Sequence, residues 1–289
     1  MAAFGRRFLV ETSPLVTLSC VPRGRHFDLA CGDRVSVARS GPESGVIEGL
    51  LPRSSLLRRA VEQRSKLLAA NATQVAIVVA AEPSWSDELV CRILAAAEHE
   101  GLKALVVLNK DDLPEAEAAS ARLDPLRGAG YRVVRLSALR GPAALLPFLS
   151  GERTALGGQS GMGKSTLINA LVPGIAAATA AISHFLDSGR HTTTAGRLYR
   201  IDAATALIDT PGLKEFGLAF MSDADIEAGF VELRERRGRC RFADCSHRTE
   251  PGCALRAALA EGAVHPRRFE LLLRIVAAER QRRGGGRAL

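Results

Sequence analysis

The residues most clearly equipped for chemistry run from Gly158 to Ser165 and read GQSGMGKS. They lie between an apolar, strand-like stretch and the helix-forming run STLINAL, which is the context that a phosphate-binding loop requires. Glycines let backbone N–H groups close around phosphates, Lys164 supplies a cation to the β and γ phosphates, and Ser165 offers a hydroxyl to Mg²⁺. The residues predicted to bind phosphate are Gly158, Gln159, Ser160, Gly161, Met162, Gly163, Lys164, Ser165 and Thr166, and Lys164 is also predicted to be catalytic.

A second motif, NKDD at 109–112, follows the apolar stretch ALVVL and matches the NKxD pattern that reads guanine. Asp112 can accept two hydrogen bonds from the N1–H and 2-amino groups of guanine, which adenine cannot supply in that arrangement. Asn109 would brace the neighbouring loops, and the stem of Lys110 would cover the base. The residues predicted to bind guanine are Asn109, Lys110, Asp111, Asp112, and the backbone-mediated pair Ser137 and Ala138. The nucleotide is therefore predicted to be GTP or GDP.

A third motif, DTPG at 209–212, follows TALI and would place Asp209 near Mg²⁺ and the Gly212 N–H toward the γ phosphate. NKDD precedes the phosphate loop in this chain, whereas ordinary GTPases carry the phosphate loop, then DxxG, then NKxD. The chain is therefore predicted to be a circularly permuted GTPase. Leu213 stands where many GTPases carry a Gln that positions the attacking water, so a group from elsewhere must orient that water.

Three of the six cysteines fall within fourteen residues and share that segment with a histidine. Cys240, Cys245, His247 and Cys253 form the pattern C-x4-C-x-H-x5-C, a closed tetrahedral donor set with no open position for water. The pattern predicts one structural Zn²⁺ that stabilises a small lobe. A reactive-thiol site or a chance cluster is the alternative. The remaining cysteines, Cys20, Cys31 and Cys91, are predicted to be ordinary buried thiols.

The three nucleotide motifs need a scaffold that brings them together, and the central part of the chain predicts one. Apolar strands alternate there with Ala-rich helical stretches, the pattern of a mostly parallel α/β sheet. The predicted strands are Gln74–Ala80, Ala104–Leu108, Arg132–Leu136, Thr154–Leu156 and Thr205–Ile208. Because a motif follows nearly every strand, the motifs should gather at the edge formed by the carboxyl ends of the strands.

Smaller units are predicted on both sides of this sheet. Residues 1–60 contain short β segments broken by Gly and Pro and predict an oligonucleotide/oligosaccharide-binding (OB) barrel. Residues 61–220 are assigned to the permuted GTPase domain, and residues 221–289 to a helical, zinc-binding domain. In the last unit, Ser222 should cap one helix and Pro266 should open another. The ending RQRRGGGRAL, from residue 280, is predicted to be a disordered basic tail.

The net charge of +8 makes an anionic partner plausible, and its distribution is uneven. Basic residues exceed acidic ones in the first 60 and the last 69 residues, whereas the central part is balanced. The arginines involved are Arg23, Arg25 and Arg34 in the barrel, and Arg237, Arg239, Arg241 and Arg248 around the cysteine cluster. Two basic platforms beside a neutral GTPase predict contact with RNA backbone, and solvated surface charge or genome composition is the alternative.

The motif order, together with GRHTTT at 189–194, resembles the family of bacterial ribosome-assembly GTPases that depend on the small ribosomal subunit. Further matches are RGR and GDRV in the first unit, the LPR segment, DTPGLKEFGL and CRFADCSHRTEPGC, although the barrel looks short. The resemblance implies that His191 orients the attacking water and is catalytic. Thr193 is chosen from Thr192, Thr193 and Thr194 as the ligand that joins Ser165 and Asp209 on Mg²⁺. The implied partners are the small subunit, its rRNA and other assembly factors.

Three functions stay open at this point. The chain is a GTPase checkpoint of late small-subunit maturation, an RNA-bound scaffold that only senses GTP, or a GTPase of signalling or transport unrelated to ribosomes. No apolar stretch has the length of a signal peptide core or of a membrane span, so we expect a soluble, cytoplasmic protein without a membrane partner. No coiled-coil heptads occur, so a monomer is expected.

Overall fold

The computed structural model describes residues 2–4, 7–13, 16–24, 28–61, 64–172, 174–175, 196–210 and 215–284. Within these ranges the strands are β1 (Ala2–Phe4), β2 (Arg7–Ser13), β3 (Val16–Pro22), β4 (Val35–Arg39), β5 (Ser44–Leu50), β6 (Leu56–Val61), β7 (Arg64–Ala70), β8 (Gln74–Ala80), β9 (Lys103–Asn109), β10 (Arg132–Arg135), β11 (Arg153–Gly157), β12 (Arg197–Arg200) and β13 (Ala206–Asp209). The α-helices are α1 (Asp87–His99), α2 (Ala116–Arg122), α3 (Asp124–Gly128), α4 (Leu146–Leu149), α5 (Lys164–Leu171), α6 (Asp223–Ala228), α7 (Ala254–Ala260) and α8 (Pro266–Gly284). Short 3₁₀ helices cover Ala143–Leu145 and Val231–Arg236.

The central sheet has the strand order β10-β9-β8-β11-β13-β12, and its first five strands are parallel. β8 lies in the middle with every residue buried, which explains its continuous apolar sequence QVAIVVA. Helix α1 begins at an N-cap, Ser86, whose side chain accepts a hydrogen bond from the Leu89 N–H. The predicted α/β class and mostly parallel sheet are confirmed, with strand ends that differ from the prediction by at most one residue.

The N-terminal strands form a barrel-like unit with a small core of its own. This core consists of Val10, Leu18, Cys20 and Ile47. Two of the strands that contribute to it, β3 and β5, are parallel neighbours in the sheet. β1 is only three residues long and pairs with both β2 and β12. The barrel strands and the GTPase strands therefore belong to one continuous eleven-stranded sheet among the described residues. The short barrel noted in the sequence corresponds to this brief first strand.

A hairpin of β6 and β7 forms a separate two-stranded sheet beside the core. The hairpin includes residue 60, which is the predicted end of the first domain. The domain boundaries therefore stay predictions. The strand β6 also bridges the chain after β13, since Ala60 N–H donates to Gly217 O at 2.8 Å. The three separate cysteines Cys20, Cys31 and Cys91 are buried, as predicted.

The C-terminal helices begin where the sequence predicts. Ser222 caps α6 in a reciprocal capping box with Asp225, and α8 opens at Pro266. The predicted disordered tail is wrong for residues 280–284, because α8 continues through Gly284. Arg280 and Arg283 both pair with Asp223 at the start of α6, and these ion pairs hold the last turns of α8. In the part of the chain that the structure describes, no helix combines the length and apolarity that a membrane crossing requires.

Candidate nucleotide-binding site and metal centre

Parallel pairing places the described motif residues at one edge of the sheet. NKDD follows β9, Ser137 and Ala138 follow β10, the phosphate loop follows β11, and Asp209 ends β13. Because these strands run parallel to β8, their carboxyl ends share an edge, as the sequence predicts. Gly212, His191 and Thr193 lie outside the described residues, as do Leu213 and the rest of the GRHTTT segment. Their predicted roles therefore stay predictions.

Asn109 connects the two halves of this edge. Its side chain is buried, with Nδ2 donating to Met162 O at 3.0 Å and Oδ1 accepting from Ala138 N–H at 2.9 Å. One amide thus joins the phosphate loop to the loop after β10. Gly163 makes the first contact possible, because a Cβ at this position would collide with Asn109 Nδ2. Gly163 also has a φ of 86°, a left-handed conformation that favours glycine.

We expect Gly163→Ala to weaken binding of both GTP and GDP by about tenfold or more, since it adds a steric clash to the unfavourable φ. Gly151→Ala is the matched control: its φ is 74°, but nothing lies within 4 Å of an added Cβ. Titration with a fluorescent guanine nucleotide measures both variants. Equal affinities of the two variants would contradict a bracing role for Asn109.

The remaining residues of NKDD have different surroundings. Lys110 adopts a φ of 60° and donates from Nζ to Glu82 O at 2.7 Å, which fixes its stem across the loop. Asp111 accepts at Oδ1 from Arg135 Nε at 2.8 Å, so its carboxylate supports the loop. The pKa of the Asp112 carboxyl is lowered, first by the Ser137 side chain and then by backbone hydrogen bonding. Asp112 is therefore an ionised acceptor of the kind that guanine requires.

The phosphate loop is already folded into a cradle. Lys164 Nζ donates to Gly158 O at 2.8 Å and to Gln159 O at 2.7 Å, so the ammonium group spans the loop. The Gln159 side chain accepts from the Ser86 N–H at 2.7 Å and ties the loop to the start of α1. Met162, which belongs to the loop, is buried. The exposed positions are Ser160, Gly161, Ser165 and Thr166, which face solvent where a nucleotide would enter.

Asp209 and Lys164 carry opposite charges that interact at this edge. Burial lowers the pKa of Lys164 and raises that of Asp209, and each charge partly offsets the effect of burial on the other. Thr210, the next residue, donates from Oγ1 to Leu156 O at 2.5 Å and so fixes the end of β13 against β11. The Asp209 carboxylate at the end of β13 and the Ser165 hydroxyl in the first turn of α5 are oxygen ligands of the kind that a hydrated Mg²⁺ takes.

The comparisons with known proteins decide the family. The family model described as RsgA GTPase matches residues 50–219. A small ribosomal subunit biogenesis GTPase RsgA from Nitrosospira multiformis is 49% identical over 96% of this chain and 89% of its own length. This chain belongs to the RsgA GTPase family.

Solved structures agree with this assignment. YjeQ from Thermotoga maritima matches with a TM-score of 0.70 and 28% identity, covering 91% of this chain and 90% of that one. YloQ, described as a circularly permuted GTPase, matches with a TM-score of 0.69 and 23% identity over 97% of this chain and 93% of that one, a likeness of fold. The predictions of a GTP hydrolase and of circular permutation are therefore confirmed.

The four predicted zinc ligands of this RsgA-family chain converge in its C-terminal lobe. The donor atoms of Cys240, Cys245, His247 and Cys253 all lie within 4.8 Å of one another. The Sγ atoms of Cys240 and Cys253 are 3.9 Å apart, near the roughly 3.8 Å that tetrahedral Zn–S bonds of about 2.3 Å impose. His247 Nδ1 lies 3.6 Å from Cys240 Sγ and 3.3 Å from Cys253 Sγ, so Nδ1 is its metal-facing atom. The donor set fits zinc.

Two glutamates support this cluster, and sequence reasoning missed both. Glu227 Oε1 lies 3.1 Å from His247 Nε2, the ring nitrogen that faces away from the sulfurs. Glu250 accepts from the backbone N–H groups of Ser246, Arg248 and Thr249 and so shapes the ligand loop. Glu227 lies on α6, twenty residues before His247 in the ligand loop, and no local spacing signals their contact. The acidic residue between His247 and Cys253 was visible in the sequence, but its hydrogen bonds depend on the folded loop.

Proposed function

We propose that the chain hydrolyses GTP to GDP and phosphate during late maturation of the small ribosomal subunit, bound to its rRNA and stimulated by the subunit. The observation that carries the proposal is the folded edge at which Asn109 joins the phosphate loop to the guanine-side loop. Such an edge reads base and phosphates together, so it favours a specific guanine-nucleotide switch over a general phosphate site. The relatives' name, small ribosomal subunit biogenesis GTPase, supports the choice of subunit.

Within this site we assign roles by chemistry. Asp112 accepts hydrogen bonds from guanine, Lys164 neutralises charge on the β and γ phosphates, and Ser165 with Asp209 binds Mg²⁺. When bound, Mg²⁺ supplies charge neutralisation at the transferred phosphoryl group. Thr193 as a further Mg²⁺ ligand and His191 as the group that orients water complete the assignment. The N–H of Gly212 would face the γ phosphate.

The rRNA contacts are assigned to basic surfaces of the barrel and of the zinc lobe, which is the segment 231–261 that carries the four proposed zinc ligands. Arg34 lines a cleft of about 500 Å³ between the barrel and the GTPase strands, together with Arg153 and Arg200. In the zinc lobe, the Arg241 guanidinium lies 5.5 Å from the ring centre of the exposed Phe242. Guanidinium groups in such positions suit phosphate contacts, and an exposed aromatic ring beside one adds a stacking surface. The other arginines proposed to contact rRNA are Arg23, Arg237, Arg239, Arg248 and Arg25, of which Arg25 lies outside the described residues.

Zinc, held by Cys240, Cys245, His247 and Cys253, is proposed to be the structural metal of this lobe. We expect Glu227→Gln to lower the zinc affinity about 10- to 100-fold, because the carboxylate fixes the orientation of His247 and makes its ring more basic. Competition with a colorimetric chelator measures the affinity. Glu261→Gln, which removes an exposed partner of Arg236 in the same lobe, is the control. Unchanged zinc affinity in the Glu227 variant would contradict the supporting role.

Sedimentation with purified ribosomal subunits tests the choice of partner. The protein should sediment with small subunits in the presence of a non-hydrolysable GTP analogue and dissociate from them in the presence of GDP. It should not sediment with large subunits in either nucleotide state. Equal binding to both subunits in both nucleotide states would contradict the proposal.

A further inference from the structure

The chain that follows the DTPG motif is held at three consecutive backbone carbonyls, those of residues 215–217. Glu215 O accepts from Arg59 Nη1 at 2.7 Å, Phe216 O from Arg92 Nη1 at 3.5 Å, and Gly217 O from Ala60 N–H at 2.8 Å. Together these contacts form a clamp on residues 215–217, built by β6 and α1. β13 ends at Asp209, so the clamp holds the chain six to eight residues after that strand.

The middle contact of the clamp is tied to the C-terminal helix α8 by a buried ion pair. Arg92 Nη1, the same atom that reaches Phe216 O, also pairs with Glu279 Oε1, while Nε and Nη2 of Arg92 pair with Glu88 on α1 at 2.9 Å. Both side chains are buried, with Glu279 fully inaccessible. Glu279 Oε2 has no hydrogen-bond partner among the described residues, so Arg92 is its principal counter-charge, with Arg282 Nη1 at 3.7 Å from Oε1. The stability of the buried Glu279 carboxylate therefore depends on the position of the Arg92 guanidinium.

The other parts of α8 contact the zinc lobe. Arg268, near its start, forms a buried ion pair with Glu232 on the 3₁₀ helix that precedes the cysteines. Further along, Leu272, Leu273 and Val276 line a cavity shared with Ser246 and His247. One helix, α8, therefore lines a cavity with the zinc ligand His247 and also contacts Arg92 of the clamp.

We propose that Arg92 and Glu279 are positioning residues that couple the zinc lobe, through α8, to the clamped residues 215–217. A displacement of α8 moves Glu279 and changes how the Arg92 guanidinium is shared between Glu279 and Glu88. The hold on Phe216 O changes as a result. Residues 215–217 follow Gly212 within five positions of the sequence, so the change acts on the chain that continues the DTPG motif. Binding of the zinc lobe to the ribosomal subunit thereby reaches the hydrolytic site without contacting it. This coupling rests on the proposed function, which supplies the subunit and the reaction.

Hydrogen exchange of peptides covering residues 209–221, measured without nucleotide or subunit, tests the clamp itself. Glu279→Gln keeps the shape but removes the charge, and we expect exchange there to accelerate about tenfold or more. Glu270→Gln, which removes an exposed partner of Arg274 on the same helix, should leave exchange at the wild-type rate. Wild-type exchange in Glu279→Gln would overturn the proposal.

Turnover separates positioning from mere stability. With saturating small subunit, Glu279→Gln should lower kcat about tenfold while KM for GTP stays unchanged, because no nucleotide contact is removed. The double variant Arg92→Met with Glu279→Met removes both buried charges and should regain thermal stability, but keep fast exchange and low kcat. Recovery of wild-type exchange and kcat in the double variant would overturn the proposal. If wild-type protein shows no stimulation by the subunit, the proposed function fails, whereas the exchange result still stands.

Discussion

Replacing Lys164 with alanine is expected to lower kcat/KM for GTP about 100- to 1,000-fold, the usual cost of losing one preorganised charge at a reaction centre. Lys164 is buried and its ammonium group is held by the carbonyls of Gly158 and Gln159, at the position where phosphates enter the loop. Lys164 is the one cationic residue in the sequence GQSGMGKS, so no other residue of the loop replaces this charge. Single-turnover hydrolysis with saturating Mg²⁺ measures the loss.

Lys103→Ala is the matched control for this experiment. Lys103 begins β9, at the opposite end of the strand from Asn109, and forms an exposed ion pair with Glu152 at 2.5 Å. Its loss should leave GTP turnover within about twofold of wild type, since surface ion pairs contribute little. Thermal melting of both variants shows whether the fold is retained. A Lys164→Ala protein that is folded and turns over GTP like the control would refute the phosphate-site assignment.

Asp112→Asn is expected to change which purine the protein binds. The carboxylate of Asp112 accepts from both N1–H and the 2-amino group of guanine, whereas an Asn Nδ2 would oppose the 2-amino group donor to donor. The affinity for GTP should fall about 100-fold or more, because a polar pair is left unmatched in the site. Xanthosine triphosphate carries an oxygen at that ring position and should bind the variant better than GTP.

Asp111→Asn is the neighbouring control for the specificity change. Asp111 accepts from Arg135 on β10, so its substitution should weaken the loop slightly without altering the preference for guanine over xanthine. Competition titrations with the two triphosphates measure the preference directly. A preference for GTP that is unchanged in Asp112→Asn would show that another group reads the base.

The central sheet and the described part of its functional edge could be predicted because local signals coincide there. Four of the five predicted apolar strands are followed directly by a motif whose chemistry is recognisable from a few residues, and parallel strands align their carboxyl ends. Even the bracing role of Asn109 follows from its motif. The Cys/His spacing likewise indicates the cluster that the fold brings together, because metal ligands close in sequence need only a short turn.

Contacts between distant segments escaped sequence reasoning. The clamp joins Ala60 to Gly217, and the zinc-side histidine contacts Glu227, yet neither pair has a periodic or local signature. The basic ending looked like a disordered tail because its counter-charge, Asp223, lies far upstream in sequence. The pairing of β1 with β12 is similar, since both strands are short and their register depends on the assembled sheet.

The measurement that tests the central claim most directly is steady-state GTP turnover by the purified protein alone, with isolated small subunits, and with isolated large subunits. We expect slow turnover alone, stimulation of at least about tenfold by the small subunit, and none by the large one, because the closing loops need external support. Equal, slow turnover in all three conditions would contradict the account.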